Sequence, residues 1–382
     1  MFLLYKNLSL QKVKRKIVMK KVGIVTITCG ANYGNRLQNY AMQTALDKLG
    51  YSPFTIRKAD EKKTLLSRMK KCIKHITRYK YTALDKRMEQ FEQFNSNYIK
   101  FSNSYIQSDD YSKKICEEFD AFICGSDQIW NPKYKMNTGS HFLSFVNGKR
   151  KISVSASLGV EKLNESEVKR ISNWLKKLDA ISVREKAAKK ICEDITGREV
   201  SVLIDPTLML TSEEWRNIAK KPKNIKPDNY ILCYLLGKTD KKIINKLKGY
   251  AEEKGRKIVF LEDFWRNLNV SSDEEFAYGP SEFIWLIDNA YKVVTDSFHA
   301  MVFSIIFKKE FLIVTRHESN NNMNSRFVSL IELLNVKDTI YSKQSGFEQY
   351  AKIDYKEAES ILKKEKNSFN QFIKNNLEIE HH

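Results

Sequence analysis

A chain of 382 residues that is 42% hydrophobic, with only 6 Pro and 14 Gly, is long enough for two cored domains, and its composition excludes a low-complexity, collagen-like or repeat architecture. No apolar run approaches the roughly 20 residues that span a bilayer, and six cysteines without C-x-x-C spacing argue against a disulfide frame or a thiolate zinc site. The formal charge of +20 implies attraction to anionic partners (phosphorylated substrates, an anionic membrane face or nucleic acid) without choosing among them.

In chain order, the first residues put apolar before basic ones, the wrong order for a secretory signal, and residues 1–18 read as an upstream extension or a translation-start artefact because Met19-Lys20-Lys21 directly precedes a strand. Lys21 to Thr28 is a β-branched strand. The turn-rich loop Gly30 to Asn35 follows, then a helix with Leu37, Ala41, Ala45 and Leu49 on one face, ending at Gly50. This is a Rossmann-type opening, but its G-x-x-x-G spacing is not the dinucleotide fingerprint. Asn32, Asn35 and Gln38 instead offer polar side chains suited to sugar hydroxyls or phosphate oxygens, or simply to capping. From Lys58 to Phe101 the pattern is helical, with residues 61–80 strongly basic and Leu65, Leu66, Met69, Ile73 and Ile76 making an apolar stripe. Such a helix is ordinarily a solvated face; functionally it could lie on an anionic membrane.

Phe119 to Cys124 is a buried strand that breaks at Gly125-Ser126-Asp127-Gln128, where open α/β sheets place ligands. Lys151 to Leu158 is the next strand, followed by a helix whose inner face is Val168, Ile171, Trp174, Leu175 and Leu178. Arg184 stands between the short strand Ile181 to Val183 and a helix. There it can recognise a carboxylate or phosphate, or pair with Glu185 or a neighbour. Val200 to Ile204 ends at Asp205-Pro206. Cys29, Cys124, Cys192 and Cys233 sit in apolar runs and are expected to be reduced and mostly packed.

Lys220 to Asp228, with two prolines and four lysines, is the best linker candidate. The α/β rhythm then restarts: strand Tyr230 to Leu236, helix Asp240 to Lys254, strand Lys257 to Leu261, and helix Ser281 to Asn289 capped by Ser281. Val293 to Thr295 is a short strand, and a helix begins near Ser297. Asp296 and Ser297 are its candidate caps, and the stretch reads either as an anion site, with the first free N–H groups beside His299, or as a capped core helix with a packed histidine. Phe311 to Val314 is a strand, Asn320 to Met323 a polar loop, and Ser325 to Leu334 a helix with Arg326 at its first turn. Residues 354–376 form a charged terminal helix.

Taken by order, these elements match an α/β, GT-B-like fold, with two Rossmann-like domains facing a cleft and a C-terminal helix, although order alone leaves other doubly wound pairs open. The expected divisions are an extension (1–20), a first domain (21–222) with a basic helical insert at about 58–101, a second domain (226–345), and a helical tail (346–382).

Seven segments occur in order: Asn32 to Ala41, Gly125 to Asn131, Ser155 to Gly159, Ser182 to Glu185, Asp205 to Thr207, Thr295 to His299, and Asn324 to Arg326. Together they resemble the polysaccharide pyruvyl transferase family over roughly residues 21–335. The resemblance implies a GT-B-like fold and transfer of an enolpyruvyl-derived group from phosphoenolpyruvate to sugar hydroxyls, giving a pyruvate ketal on a surface glycan. It also implies that Arg184 and His299 contact phosphoenolpyruvate. From chemistry, His299 is the expected general acid and Asp127 the expected base. Arg184, Ser297, Arg326, Asn35, Ser126, Gln128 and Asp296 are the expected substrate-binding residues. Phosphoenolpyruvate is expected as donor substrate, with no cofactor and no metal. The other expected partners are a saccharide or lipid-linked oligosaccharide acceptor and an anionic membrane surface met through 58–80; nucleic acid is not expected. The expected location is cytoplasmic, peripheral at the inner face of the membrane. Two rivals stand: a sialyltransferase-like GT-B glycosyltransferase using a nucleotide sugar, and a basic membrane-surface or nucleic-acid binding protein without catalysis.

Overall fold

The computed structural model describes residues 19–59, 83–134, 137–237, 239–262, 277–315 and 325–377. The first half holds strands β1 (Lys21–Val25), β2 (Ser52–Lys58), β3 (Phe101–Ile106), β4 (Ala121–Cys124) and β5 (Arg150–Ser153), in one parallel sheet of order β3-β2-β1-β4-β5. Helices α1 (Tyr33–Lys48), α2 (Ala83–Tyr98), α3 (Lys113–Glu118) and α4 (Glu165–Leu175) connect and cover it. The short parallel pair β6 (Ser182–Val183) and β7 (Ser201–Val202), with α5 (Lys186–Thr196) between them, extends this sheet beyond β5 through the bridges Ile152–Ala180 and Ala156–Val183. A 3-10 turn (Pro206–Met209) and α6 (Ser212–Arg216) lead out of it.

The second half is a parallel sheet of order β11-β10-β8-β9, made of β8 (Tyr230–Leu235), β9 (Lys257–Glu262), β10 (Lys292–Thr295) and β11 (Phe311–Ile313). It is served by α7 (Lys241–Glu253), α8 (Pro280–Asp288), α9 (Phe298–Ile306) and α10 (Ser325–Leu333). Finally α11 (Tyr355–Leu377) returns to the first half, where Phe369, Ile373 and Leu377 are buried and Arg150 Nε donates to the Asn376 carbonyl at 2.9 Å.

Strands covered on both faces need continuous apolar runs. Every residue of β4, β8 and β10 is buried, which is why these three were legible. The reading of Lys58 to Phe101 as helix is corrected at both ends: Lys58 closes β2 and Phe101 opens β3. The helical part that is described is α2. Most of the basic stripe, residues 60–82, lies outside the described residues, as do residues 1–18 and 316–324, which include the expected polar loop Asn320 to Met323. Two further corrections are local. Gly279, not Ser281, occupies the cap of α8, with Pro280 at its first position, where a missing N–H costs nothing. Cys29 is exposed whereas Cys116 is buried, because β1 ends at Val25 and residue 29 already stands in the following loop.

One apolar cluster runs through both halves. Tyr33 of α1 stacks on Phe283 of α8, with ring centroids 4.4 Å apart, and Trp215 meets Phe303 edge-on at 4.8 Å. These contacts bring the carboxyl ends of both sheets face to face.

Candidate active site

In each sheet the strand order reverses once, between β1 and β4 and between β8 and β10, and such switch points are where α/β sheets bind ligands. The predicted residues lie at these ends. Gly125 has a φ of +120°, and a Cβ on it would come within 2.2 Å of the Val154 carbonyl, so only glycine lets β4 turn there beside β5. The turn is held by Gln38, whose Oε1 accepts from the Ser126 amide at 3.2 Å while its Nε2 donates to Thr26 Oγ1 at 2.8 Å. Gln38 is thus a support for the loop. Asp127 follows in the left-handed region at φ 68°, a backbone that Asp tolerates better than most residues and that turns its carboxylate to Arg184.

Arg184 is buried, and both of its terminal nitrogens are engaged: Nη1 donates to Asp205 Oδ2 and Nη2 to Asp127 Oδ1 at 3.3 Å. The ion pair weighed at the sequence level exists, but with these two aspartates. Glu185 does other work: its Oε1 accepts from Ser157 Oγ (2.9 Å) and from the amides of Leu158 and Gly159 (both 3.0 Å), pinning the loop after β5. Arg184 Nε and Glu185 Oε2 are buried without a hydrogen-bond partner.

Asp205 is the residue that sequence reasoning passed over. It appeared there only as part of a motif, yet it is 1% exposed at the centre of the site. Its Oδ2 takes Arg184, accepts from Ser126 Oγ at 3.3 Å and faces His299 Nε2 at 3.6 Å. The available signal was a third strand end, Val200 to Ile204, stopped by Pro206 with an acid at its tip. Burial pushes the Asp205 carboxyl up, but Arg184 and His299 overcome this and hold it far below the usual carboxylate range. Asp127 behaves likewise: burial raises it, while His299, Arg184 and Arg326 together bring it below its ordinary value.

His299 sits in the first turn of α9, buried, with Nε2 lacking a hydrogen-bond partner. Its other flank packs on Gly34, where a Cβ would come within 2.0 Å of Nδ1. Ser297 is the N-cap of α9 as expected, but its side chain makes no cap hydrogen bond, which leaves the first N–H groups uncapped by it. Asp296, expected to bind substrate, accepts from the backbone amides of Leu236 and Gly237, both at 2.5 Å. That clamp ties the end of β8 to the end of β10. Asn35 is buried in the first turn of α1, with its amide donating to the Asn32 cap at 3.2 Å.

Arg326 completes the set from α10. The Gln128 amide oxygen is assigned to the side facing its guanidinium, 2.9 Å from Nη1, the orientation that gives both ends of the amide complementary neighbours. Phe298 lies under both arginines, its ring centroid 4.5 Å from the Arg184 guanidinium and 5.4 Å from that of Arg326. No carboxylate among the described residues lies within ion-pair distance of Arg326. Burial, and then the charge of Arg184, push it down to about 10. A cavity of about 410 Å³ reaches Arg184, Asp205, Phe298 and Arg326 between α5 and α10.

The family model for polysaccharide pyruvyl transferase matches residues 32–318, three quarters of the chain, and takes in Asp127, Arg184, Asp205 and His299. The chain belongs to the polysaccharide pyruvyl transferase family. That makes it a transferase of polysaccharide biosynthesis, and Arg326 then lies just beyond the matched segment. Among solved structures, the UDP-N-acetylglucosamine 2-epimerase from Rickettsia bellii is similar, with 13% identity, a TM-score of 0.53, and coverage of 94% of this chain and 99% of that one. The corresponding epimerase from Methanocaldococcus jannaschii, in complex with UDP-GlcNAc and UDP, is 15% identical over 93% and 98% of the two chains, with a TM-score of 0.49. At such identities the likeness concerns fold alone, and the fold is GT-B-like. The search among curated proteins gives no significant match.

Proposed function

We propose that this transferase moves the enolpyruvyl-derived group of phosphoenolpyruvate onto two hydroxyls of a saccharide or lipid-linked saccharide, forming a pyruvate ketal. The observation that supports this most is Arg326, a buried guanidinium beside a second one and partnered by a neutral amide and a ring. A buried charge without a counter-ion is costly, and an anionic substrate would supply the counter-ion. Phosphoenolpyruvate carries a carboxylate and a phosphate on one small frame. Arg326, the open nitrogens around Arg184 and His299, and the start of α9 offer it convergent donors.

In this reading His299 gives a proton to the methylene carbon, which becomes a methyl group and leaves C2 electrophilic. One sugar hydroxyl attacks C2, its proton passing to Asp127. The C2–O bond to phosphate breaks, and the second hydroxyl closes the ring as phosphate carries off the other proton. Asp127 with a depressed pKa is a weak base in the free protein; donor charges that draw on Arg184 and Arg326 would restore its basicity. The reading is tested by following phosphate release from phosphoenolpyruvate in the presence of saccharide acceptors. His299→Ala is expected to lose about 10²–10⁴-fold in turnover with the fold kept, and full turnover in that variant would remove the acid role.

A further inference from the structure

We infer that Asp205 is the positioning residue that fixes which nitrogen of His299 carries the proton; the inference rests on the role given to His299 above. The two oxygens of Asp205 have separate tasks. Oδ1 accepts from the Thr207 amide at 3.0 Å and from Thr207 Oγ1 at 2.7 Å, so the carboxylate is anchored by its own turn. Oδ2 is thereby aimed into the site, where Arg184 and Ser126 hold it and His299 Nε2 faces it at 3.6 Å.

On the far side, the backbone of Gly34 leaves no room for the ring to retreat. Asp127, itself paired with Arg184 at 3.3 Å, is electrostatically coupled to His299, and Phe298 packs edge-on to the imidazole at 5.4 Å. A carboxylate oxygen facing one ring nitrogen favours the tautomer with hydrogen on that nitrogen. The N–H of neutral His299 is therefore on Nε2, the nitrogen that faces Asp205. Gly34, Ser126 and Asp205 all belong to the first half, whereas His299 belongs to the second. The histidine is thus oriented across the cleft, and its competence depends on the two halves being in register.

The test uses the full-length protein with ¹⁵N-labelled histidine, read by NMR at a pH where the imidazole is neutral. The expected result is the Nε2–H tautomer in the wild type and its loss in Asp205→Asn, where the amide can present a donor instead. Turnover of Asp205→Asn should fall about 10²-fold or more, with KM for phosphoenolpyruvate changed only a few-fold. Thr207→Val, which keeps the carboxylate and its Arg184 pair but removes one anchor, should give an intermediate mixture and serves if Asp205→Asn does not fold. An Nδ1–H tautomer in the wild type, or an unchanged tautomer in both variants, overturns the inference. Because the tautomer is read without substrate, absence of pyruvyl transfer would remove the proposed reaction and leave this result standing on its own.

Discussion

At the scale of single residues, the site is a balance of buried charges, and Arg326 is where the balance fails. Its pKa, pushed down to about 10 from an ordinary 12.5, has a definite sign for stability. The folded state sheds this proton more readily than the unfolded chain, so the charged form costs stability at every pH below about 10. The cost is relieved only as pH rises from there towards 12.5. At about 1.4 kcal/mol per pKa unit, Arg326→Met is expected to relieve a cost of roughly 3–4 kcal/mol in the free protein while weakening donor binding. Denaturant unfolding with and without phosphoenolpyruvate measures both effects. A destabilised variant that still binds the donor would show that Arg326 is structural. Asp205 explains why residue roles were only partly legible in the sequence. Its partners lie 21 and 94 residues away along the chain, at Arg184 and His299, and nothing local distinguishes it from an ordinary turn-forming Asp-Pro. Asp296 shows a contact that its place before a helix did not reveal: its carboxylate accepts from two backbone amides just past the end of β8.

At the scale of elements, apolar runs were readable and polar edge strands were not. β3 carries Ser102, Asn103 and Ser104 and stands at the sheet edge, so its sequence lacks the alternation or continuity that marks a strand. The basic run that follows β2 drew the reading towards helix. A short turn that sequence did not reveal carries its own consequence. His141, in the 3-10 turn Gly139–Phe142, is buried, and burial together with Lys58 pushes it down to about 3. A depressed histidine is neutral in the fold, so its stabilising contribution is complete above the unfolded value of 6.5 and is lost as pH falls from there towards 3. Between pH 7 and pH 5 the wild type should lose roughly 2 kcal/mol from this group, and His141→Asn should lose clearly less. Equal losses in the two proteins, measured by urea unfolding, would assign the acid sensitivity elsewhere.

At the scale of the whole molecule, the two sheets are joined by a continuous apolar cluster, with Tyr33 at its centre. Its ring stacks on Phe283, meets Tyr234 edge-on, and lies under the Arg87 guanidinium at 4.7 Å, while its hydroxyl donates to the Tyr278 carbonyl at 2.9 Å. Tyr33→Ala is expected to cost about 3–5 kcal/mol, as buried aromatic truncations do, and calorimetry should show a lowered or divided transition. A shift typical of a surface substitution would mean that the halves are held together elsewhere. The restart of the α/β rhythm after Lys220 to Asp228 made this two-sheet plan legible, whereas the cross-cleft contacts that bring His299 onto Gly34 were not. No helix among the described residues is long and apolar enough to cross a membrane, and the charge of +20 remains as an attraction to anionic acceptors or surfaces.

The central claim is that the cleft takes phosphoenolpyruvate, and its most direct test is thermal unfolding with phosphoenolpyruvate or with a UDP-sugar added. A ligand that binds only the folded state stabilises it by about 2.7 kcal/mol at a hundredfold excess over Kd. The account predicts a rise in Tm with phosphoenolpyruvate that Arg326→Met abolishes, and none with the UDP-sugar. A rise with the UDP-sugar alone would contradict it and favour a nucleotide-sugar transferase on the same fold.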